Sequence, residues 1–316
     1  MPLTTTSLLP APVQQDFDNM LLSVAIPYMI HKIPAQTKRL RRKGGRTLRM
    51  RRYDLLPLAL VPLGNQGVTP PSELPAATDI DATMDFYGLY VDINEQVTLQ
   101  NQDPVLNEVT KLLGISMRMS EDALTRDMLA ATAAVIDATH GVNGDAPTEI
   151  NAIDCSQVTT TLVNNNAWMI SHLIEGADKF NTSPIRDSFF CMSNSQMIPS
   201  IESIPGFVPL SSYPYPNKTL TSEWGSFKNM RFLTSSQGSF TPFASANGNT
   251  VFNNFVVGME AYAVIEQDGM SAEFIYRPPI YSSPLAMNCQ VGYKFAEVPR
   301  ILNDLWVINF RSTLQR

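Results

Sequence analysis

The first regular pattern along the chain is an alternation of polar and apolar side chains over residues 46–53, which is typical of a strand with two unlike faces. Residues 54–82 are rich in proline and small residues and predict a loop. Residues 84–99 are rich in aromatic and β-branched side chains and predict a returning strand. Together the three segments predict a long projecting hairpin, which needs support from a neighbour because it has little core of its own.

A helical pattern follows, in which apolar residues recur at three- and four-residue steps over residues 105–138. Asp103 and Pro104 form a start signal, because a capping residue is followed by proline in the first turn. His140 and Gly141 mark the expected end. A helix of this length would span roughly 50 Å. Gly114 leaves an alternative open, namely two shorter helices with a break at that residue.

The rest of the chain predicts shorter elements in mixed order. A second helix is expected to start at Asp154 and stop at Gly176, with an apolar stripe of Val158, Leu162, Ala167, Ile170 and Leu173. A short helix is expected over residues 193–201. Strands are expected at residues 189–192, 231–235, 251–265, 273–276 and, once or twice, within 291–310. The mixed order predicts the α+β class.

Composition indicates that much of the surface is uncharged. The chain has 316 residues, of which 44% are hydrophobic, so it is long enough to bury a substantial core. Charged residues make up 16%, against about 25% in an average soluble domain. Two interpretations stay open: a surface that meets other protein, or a polar domain that is rich in loops.

Positive charge is concentrated in one segment. Ten basic residues and no acid lie between residues 32 and 52, whereas the rest of the chain has 13 basic and 29 acidic residues, a balance of −16. The ten are Lys32, Lys38, Arg39, Arg41, Arg42, Lys43, Arg46, Arg49, Arg51 and Arg52. They could form ion pairs with the acidic surface of another copy, bind phosphates of a nucleic acid, or remain solvated. The strand-like setting of Arg49, Arg51 and Arg52 favours the first interpretation for those three.

An apolar patch over residues 17–29 lies in a region that prolines interrupt, so it needs a partner surface. We therefore predict contacts with neighbouring subunits from this patch, from the basic strand and from the aromatic strand. The predicted contact residues are Phe17, Met20, Leu21, Arg46, Arg49, Arg51, Arg52, Tyr87 and Tyr90.

No pattern in the sequence meets the requirements of a catalytic, cofactor or metal site. His31, His140 and His172 are far apart and lack the spacing of a ligand pair. The cysteines are isolated and odd in number, which predicts neither a zinc site nor a disulfide framework. We expect a protein that is not an enzyme and needs no cofactor.

No membrane insertion is expected either. Residues 1–15 lack the basic-then-apolar order of a secretory signal peptide. The apolar stretch at residues 55–63 is broken by prolines and is shorter than the roughly 20 residues that cross a bilayer.

Several segments of the sequence, taken in their order along the chain, resemble the corresponding segments of one protein family. They are residues 43–57, 67–70, 87–93, 103–106 with 124–127, 257–264, and 291–294 with 301–307. They resemble the major capsid proteins of tailed phages of the N-four type, over most of the chain from about residue 20 onward, with residues 140–250 least similar.

The resemblance implies the Hong Kong 97-type capsid fold, in the α+β class. Residues 1–53 would then be an N-terminal arm, 54–102 an extended β-hairpin loop, 103–153 a peripheral domain with a long spine helix, 154–250 a mixed axial domain, and 251–316 core strands that return to both domains.

The resemblance also implies a function. The chain would assemble into hexamers and pentamers of an icosahedral virion head that encloses double-stranded DNA, after assembly in the host cytoplasm. A portal protein at one vertex and scaffold or decoration proteins would be its other partners. No catalytic or crosslinking residue of the fold matches here. Two other functions stay open: the shell of a cellular nanocompartment with the same fold, and a nucleic-acid-binding protein that uses its basic arm.

Overall fold

The computed structural model describes residues 26–60, 73–96, 105–132, 134–170, 187–213, 220, 222–268, 272–278 and 287–315. Its strands, in chain order, are β1 (Gln36–Leu40), β2 (Thr47–Tyr53), β3 (Ala77–Thr83), β4 (Phe86–Asn94), β5 (Val135–Asp137), β6 (Phe189–Asn194), β7 (Val208–Pro209), β8 (Glu223–Phe227), β9 (Met230–Ser235), β10 (Phe240–Thr241), β11 (Val251–Val257), β12 (Tyr262–Gln267), β13 (Glu273–Arg277), β14 (Asn288–Ile301) and β15 (Val307–Ser312). Its α-helices are α1 (Val105–Ala130), α2 (Ala152–Asn164) and α3 (Ile198–Glu202), with short 3₁₀ turns at Ser195–Met197, Leu210–Ser212 and Asp304–Trp306.

The larger sheet has eight strands, ordered β5-β15-β11-β6-β9-β8-β7, with β10 also paired to β11. Both of its faces are covered, because alternate residues of β6 pack into two different cores. Phe189 and Cys191 share a core with helix α2, whereas Phe190 and Met192 share a core with Leu129 of α1. Burial on both faces explains why β6 is apolar at successive positions instead of alternating.

The second sheet has five strands and is organised around β14, which is 14 residues long. Strand β14 pairs with β4 on one side, and with β13 and then β12 on the other. Helix α1 packs on this sheet, where Leu113 shares a core with Val291, Tyr293 and Phe295. Since Leu129, near the other end of α1, belongs to a core of the larger sheet, the helix joins the two sheets over roughly 39 Å.

The long helix is shorter than the sequence predicts, because it ends at Ala130 instead of residue 138. No glycine or proline marks that end. Strand pairing ends the helix instead, since Val135 and Ile136 form β5 and lie parallel to β15. Gly114 lies inside the uninterrupted helix, so the alternative of two helices broken at that residue is wrong.

The second helix also differs from its prediction. Helix α2 begins at Ala152 and ends at Asn164, well before Gly176, which lies outside the described residues together with Leu173. Asp154 does not cap it. Its buried carboxylate accepts hydrogen bonds from the backbone N–H groups of Thr139 and His140, at 3.4 and 3.2 Å, and so fixes the preceding loop.

The hairpin is built from other strands than the sequence predicts. The basic strand β2 pairs antiparallel with β3, which lies inside the segment that was expected to be loop. The aromatic segment forms β4 and pairs with β14 instead. Aromatic composition alone could not choose between these partners, because it fits any half-buried strand.

Part of the expected N-terminal arm lies in the body of the molecule. Ile30 and His31 are fully buried, and β1 pairs in parallel with β12 over five residues. Ile30 therefore packs in the core between α1 and the larger sheet, whereas residues 36–40 form a strand of the five-stranded sheet.

The strands expected in the body agree with the structure, whereas the short helix expected over residues 193–201 is divided into the end of β6, the 3₁₀ turn Ser195–Met197 and α3. Strands β6, β9 and β13 confirm the predictions at residues 189–192, 231–235 and 273–276. Residues 251–265 form two strands, β11 and β12, separated by a turn in which Glu260 has a φ of 56°. The mixture of helices and strands confirms the α+β class.

Candidate assembly surfaces

The ribbon, defined as β2, β3 and the flanking residues 54–60 and 73–76, carries a ladder of ion pairs on one face. The guanidinium of Arg49 donates to both carboxylate oxygens of Asp81, at 2.7 and 2.9 Å. Arg51 donates in the same two-point way to Asp79, at 2.7 and 3.0 Å. At the ribbon's base, Arg46 donates to Asp85 at 2.6 Å. Exposed pairs of this kind contribute little to stability, so their main effect is to fix the register of the two strands.

The ladder also fixes the charge of its members. The hydrogen bond that Arg49 donates to Asp81 raises the pKa of Arg49, and the hydrogen bond that Arg51 donates to Asp79 does the same for Arg51. In return, the pKa of each aspartate is lowered, chiefly by the hydrogen bond from its arginine. The arginines of the ladder are therefore already neutralised within the ribbon.

The opposite face of the ribbon rests on the chain's own body. Leu48 and Met50 pack against a core that contains Leu40, Ala82 and Met84. On the same face of β2, the side chain of Arg52 donates to the backbone oxygen of Leu302 at 3.2 Å. The base of the ribbon is thus supported by the rest of the same chain.

The described outer part of the ribbon exposes large apolar side chains. Leu55 is 91% exposed, and Leu58 and Leu60 are each 81% exposed. The whole exposed apolar set, the ribbon leucines, is Leu55, Leu56, Leu58, Leu60 and Leu74. Single exposed leucines are common on protein surfaces, but a group of neighbouring ones marks an interaction site.

The two predicted tyrosines of β4 lie on opposite faces of the five-stranded sheet. Tyr87 stacks on Phe295, with 5.4 Å between ring centroids, on the side that faces α1. Tyr90 points the other way and is 65% exposed. Tyr90 is thus available for contact with another molecule, whereas Tyr87 is partly used in the chain's own packing.

A groove of about 430 Å³ lies on the face that Tyr90 lines. Its floor contains Gly88 and Gly292 on neighbouring strands. A Cβ atom at Gly88 would lie 2.8 Å from the backbone oxygen of Tyr293, and one at Gly292 would lie 2.8 Å from that of Leu89. Glycine at both positions therefore permits the close approach of β4 and β14.

The N-terminal segment is anchored to helix α1 by His31. The buried carboxylate of Asp122 accepts from the backbone N–H of His31 at 2.8 Å and from its imidazole Nδ1 at 2.7 Å. The hydroxyl of Tyr262 donates to the backbone oxygen of His31. One residue thus ties together the segment, the helix and β12.

Lys32 makes the second attachment, to three carboxylates on three elements. Its ammonium lies 2.8 Å from Glu297 of β14, 3.2 Å from Glu266 of β12 and 3.3 Å from Glu121 of α1. Burial raises the pKa of Glu297 to about 7, with smaller contributions from the charges of Glu121 and Glu266 and opposition from Lys32. Burial alone would lower the pKa of Lys32, but the three glutamates hold it above its ordinary value. One cation thus faces an excess of negative charge.

The structure brings together only part of the predicted contact set. Arg49 and Arg51 share one face of the ribbon, and Arg46 lies at its base. Arg52 lies on the other face of the ribbon, and the tyrosines lie on a different sheet. Phe17, Met20 and Leu21 lie outside the described residues.

Two groups of residues were missed by the sequence patterns. The first is Asp79 and Asp81, whose alternation in β3 repeats the two-residue period of Arg49 and Arg51 and could have indicated the pairing. The second is the anchor of Asp122 and the three glutamates, which no local pattern marks.

The described residues contain no group of three or more potential ligands that could hold a metal ion. Burial raises the pKa of the Cys191 thiol to about 12 and that of Cys155 well above its usual range, so both thiols are unreactive packing groups. His140 lies 2.6 Å from Asp154, an arrangement that fixes the loop described above. Among the described helices, none is long and apolar enough to span a bilayer.

Comparison with solved structures reveals close similarity in fold to phage heads. The chain matches the head structure of Helicobacter pylori bacteriophage KHP40 with a TM-score of 0.69 at 9% identity, covering 100% of this chain and 98% of that one. It matches the capsid of Ralstonia phage GP4 with a TM-score of 0.68 at 12% identity, covering 100% and 99%. It matches the capsid structure of cyanophage P-SCSP1u with a TM-score of 0.65 at 10% identity, covering 96% and 94%.

These similarities confirm the Hong Kong 97-type fold that was expected from the sequence. No protein-family model matches the chain, and no curated protein matches it.

Proposed function

We propose that this chain is the major capsid protein of a tailed phage of the N-four type, a structural subunit that assembles with itself into the shell of the head. The observation that carries the proposal is the group of ribbon leucines, which project from a subunit that leaves them exposed. Apolar surface of this kind is stabilised when another copy covers it.

The fold supports the proposal because neighbours with the same architecture over nearly their whole length are phage capsids and heads. In this proposal the ribbon leucines and Tyr90 contact adjacent subunits, while the Arg46, Arg49 and Arg51 ladder keeps the ribbon in register. Each contact is weak by itself. A closed shell multiplies them, since each subunit already held by one neighbour meets the next at high effective concentration.

The shell, in this proposal, consists of hexamers and pentamers around double-stranded DNA and forms in the host cytoplasm. A portal protein replaces one vertex, and scaffold or decoration proteins act as further partners. Binding and burial account for every step, and no chemical reaction is part of the function.

Removal of the ribbon leucines tests the proposal. We expect the triple variant Leu55→Ser, Leu58→Ser, Leu60→Ser to lose shell assembly, with at least a 100-fold rise in the concentration needed for shells. Its thermal unfolding as a subunit should stay within about 2 °C, because exposed residues contribute little to the fold. Electron microscopy and light scattering of the purified chain measure assembly.

The matched control replaces the same three leucines with methionine, which keeps the apolar area, and it should assemble like the original chain. Assembly of the serine variant at the original concentration would contradict the proposal. Nuclease-protected duplex DNA inside expressed shells would support a viral head, whereas enclosed protein would indicate a nanocompartment.

A further inference from the structure

Eight of the ten cations in the basic segment fall into two groups that differ in their surroundings, and Arg42 and Arg52, which have interactions of their own, belong to neither. The cations that are paired with carboxylates of this chain are Lys32, Arg46, Arg49 and Arg51. The other group, here called the basic edge, is Lys38, Arg39, Arg41 and Lys43. Its members form no ion pair with any residue that the structure describes. The chain thus pairs some of its cations with its own carboxylates and leaves these four able to bind another molecule.

The basic edge is held at one end of the five-stranded sheet. Lys38 and Arg39 belong to β1, which is the last strand at one edge of the five-stranded sheet, next to β12. A tight turn follows, in which the N–H of Gly44 donates to the backbone oxygen of Arg41 at 3.1 Å and Lys43 has a φ of 62°. Arg39, Arg41 and Lys43 are exposed, and Lys38 is half-buried. Strand β1 and the turn therefore hold the four cations within six consecutive residues, with Lys38 and Arg39 on opposite faces of the strand and Arg41 and Lys43 in the exposed turn.

Two acidic residues, Glu266 and Asp268, lie nearby. Glu266 is opposite Arg39 in the pairing of β1 with β12, and it forms its ion pair with Lys32. The backbone N–H of Asp268 donates to the backbone oxygen of Leu40 at 2.8 Å, yet its carboxylate forms no ion pair among the residues described. The basic edge therefore keeps its excess of positive charge.

The composition of the basic edge fits a phosphate backbone better than a protein surface. Leu40, the single apolar residue between Lys38 and Lys43, is only 3% exposed and packs inward. The buried centre of a protein interface is usually apolar and depleted in charge, and the ribbon leucines supply such a surface elsewhere in this chain. Phosphate binding requires only charge, because the gain comes from released counterions. Residues 36–45 contain no aromatic side chain that could stack on bases of a single strand.

We propose that the basic edge binds the phosphate backbone of duplex DNA without sequence preference. The proposal rests on the capsid function, because a genome inside the shell is the polyanion that this surface would meet. It assigns to the basic edge a partner different from that of the ribbon, which contacts other copies of the chain.

Binding of the full-length chain to a 30-base-pair duplex, measured by fluorescence anisotropy at several salt concentrations, tests the proposal. Four phosphate contacts predict a slope of log K against log salt of about −3.6, or roughly a 100-fold loss of affinity between 50 and 200 mM salt. The quadruple variant Lys38→Gln, Arg39→Gln, Arg41→Gln, Lys43→Gln should bind at least 30-fold more weakly at 50 mM salt, with a slope close to zero.

The control removes the same charge elsewhere, through Lys111→Gln, Arg118→Gln, Arg277→Gln and Arg300→Gln, and should keep most of the affinity and slope. Equal losses in both variants would overturn the proposal, because net charge would then explain the binding.

Shell assembly gives a second measurement. If the first variant binds DNA as before but no longer assembles, the basic edge contacts other subunits and the proposal is overturned. Shells that form from a chain without DNA affinity would overturn it and leave the capsid function standing, whereas failure of the original chain to form shells counts against that function.

Discussion

Replacement of Asp122 with alanine should destabilise the subunit by about 3–5 kcal/mol, because it removes one partner of a buried charged hydrogen-bond pair. Asp122 is 1% exposed, and its carboxylate accepts from both the backbone N–H and the imidazole of His31. Both donors of His31 would lose their acceptor in a site from which water is excluded. Denaturant unfolding followed by tryptophan fluorescence measures the loss, since Trp168 and Trp306 pack together at 5.6 Å within the fold.

The same helix offers a matched control for this prediction. Asp127 is 67% exposed and pairs with the neighbouring Arg126, so Asp127→Ala should change stability by less than about 0.5 kcal/mol. Asp122→Asn should cost less than Asp122→Ala, because the amide oxygen can still accept from the backbone N–H. Equal stability of the Asp122→Ala and Asp127→Ala variants would show that His31 does not anchor the N-terminal segment.

The ribbon illustrates what a sequence reveals locally and what it does not. Alternation over residues 46–53 correctly predicted β2, because a strand with a polar and an apolar face imposes that period on its own sequence. Its partner was misidentified, since β3 is rich in small and acidic residues and resembles a loop in composition. The pairing could be recognised only by comparing two segments, because Asp79 lies opposite Arg51 and Asp81 lies opposite Arg49.

The anchor at His31 and Lys32 shows a second limit. The residues that hold this segment lie far away in sequence: Asp122 is 91 positions from His31, Tyr262 is 231 positions from it, and Glu297 is 265 positions from Lys32. A segment rich in prolines and basic residues is typical of a free arm, and nothing local indicates burial. Only the fold brings a surplus of acids to the place where the segment enters the body.

The surfaces proposed for assembly were predictable in part. The leucines after β2 are visible in the sequence as a short apolar stretch, but their exposure follows from the direction of the ribbon, which only the structure provides. Likewise, ten cations in one segment are obvious in the sequence. Their division into a neutralised ladder and an unpaired edge depends on which strands carry aspartates opposite them.

The acids around Lys32 predict that stability falls as the pH rises from 4.5 to about 7. The groups that face one another there are Lys32, Glu121 of α1, Glu266 of β12 and Glu297 of β14, with the His31–Asp122 pair beside them. Burial raises the pKa of Glu297 from 4.5 to about 7 in the folded chain, and its side chain is 2% exposed. The folded state therefore binds an extra proton between these two pH values.

The sign of the effect follows from proton linkage. Below pH 4.5 the carboxyl of Glu297 is protonated in both the folded and unfolded states, so its stabilising contribution is complete. That contribution is lost as the pH rises toward 7, and the shift corresponds to about 3 kcal/mol. We expect the stability of the original chain minus that of Glu297→Gln to decrease by about 3 kcal/mol between pH 4.5 and pH 8, as measured by urea unfolding.

The control is Glu273→Gln, because Glu273 pairs with Lys294 on the same sheet but is 51% exposed. The difference in stability between the original chain and this control should not change with pH. Parallel pH profiles for the original chain and Glu297→Gln would mean that the acid cluster does not control the attachment of the N-terminal segment.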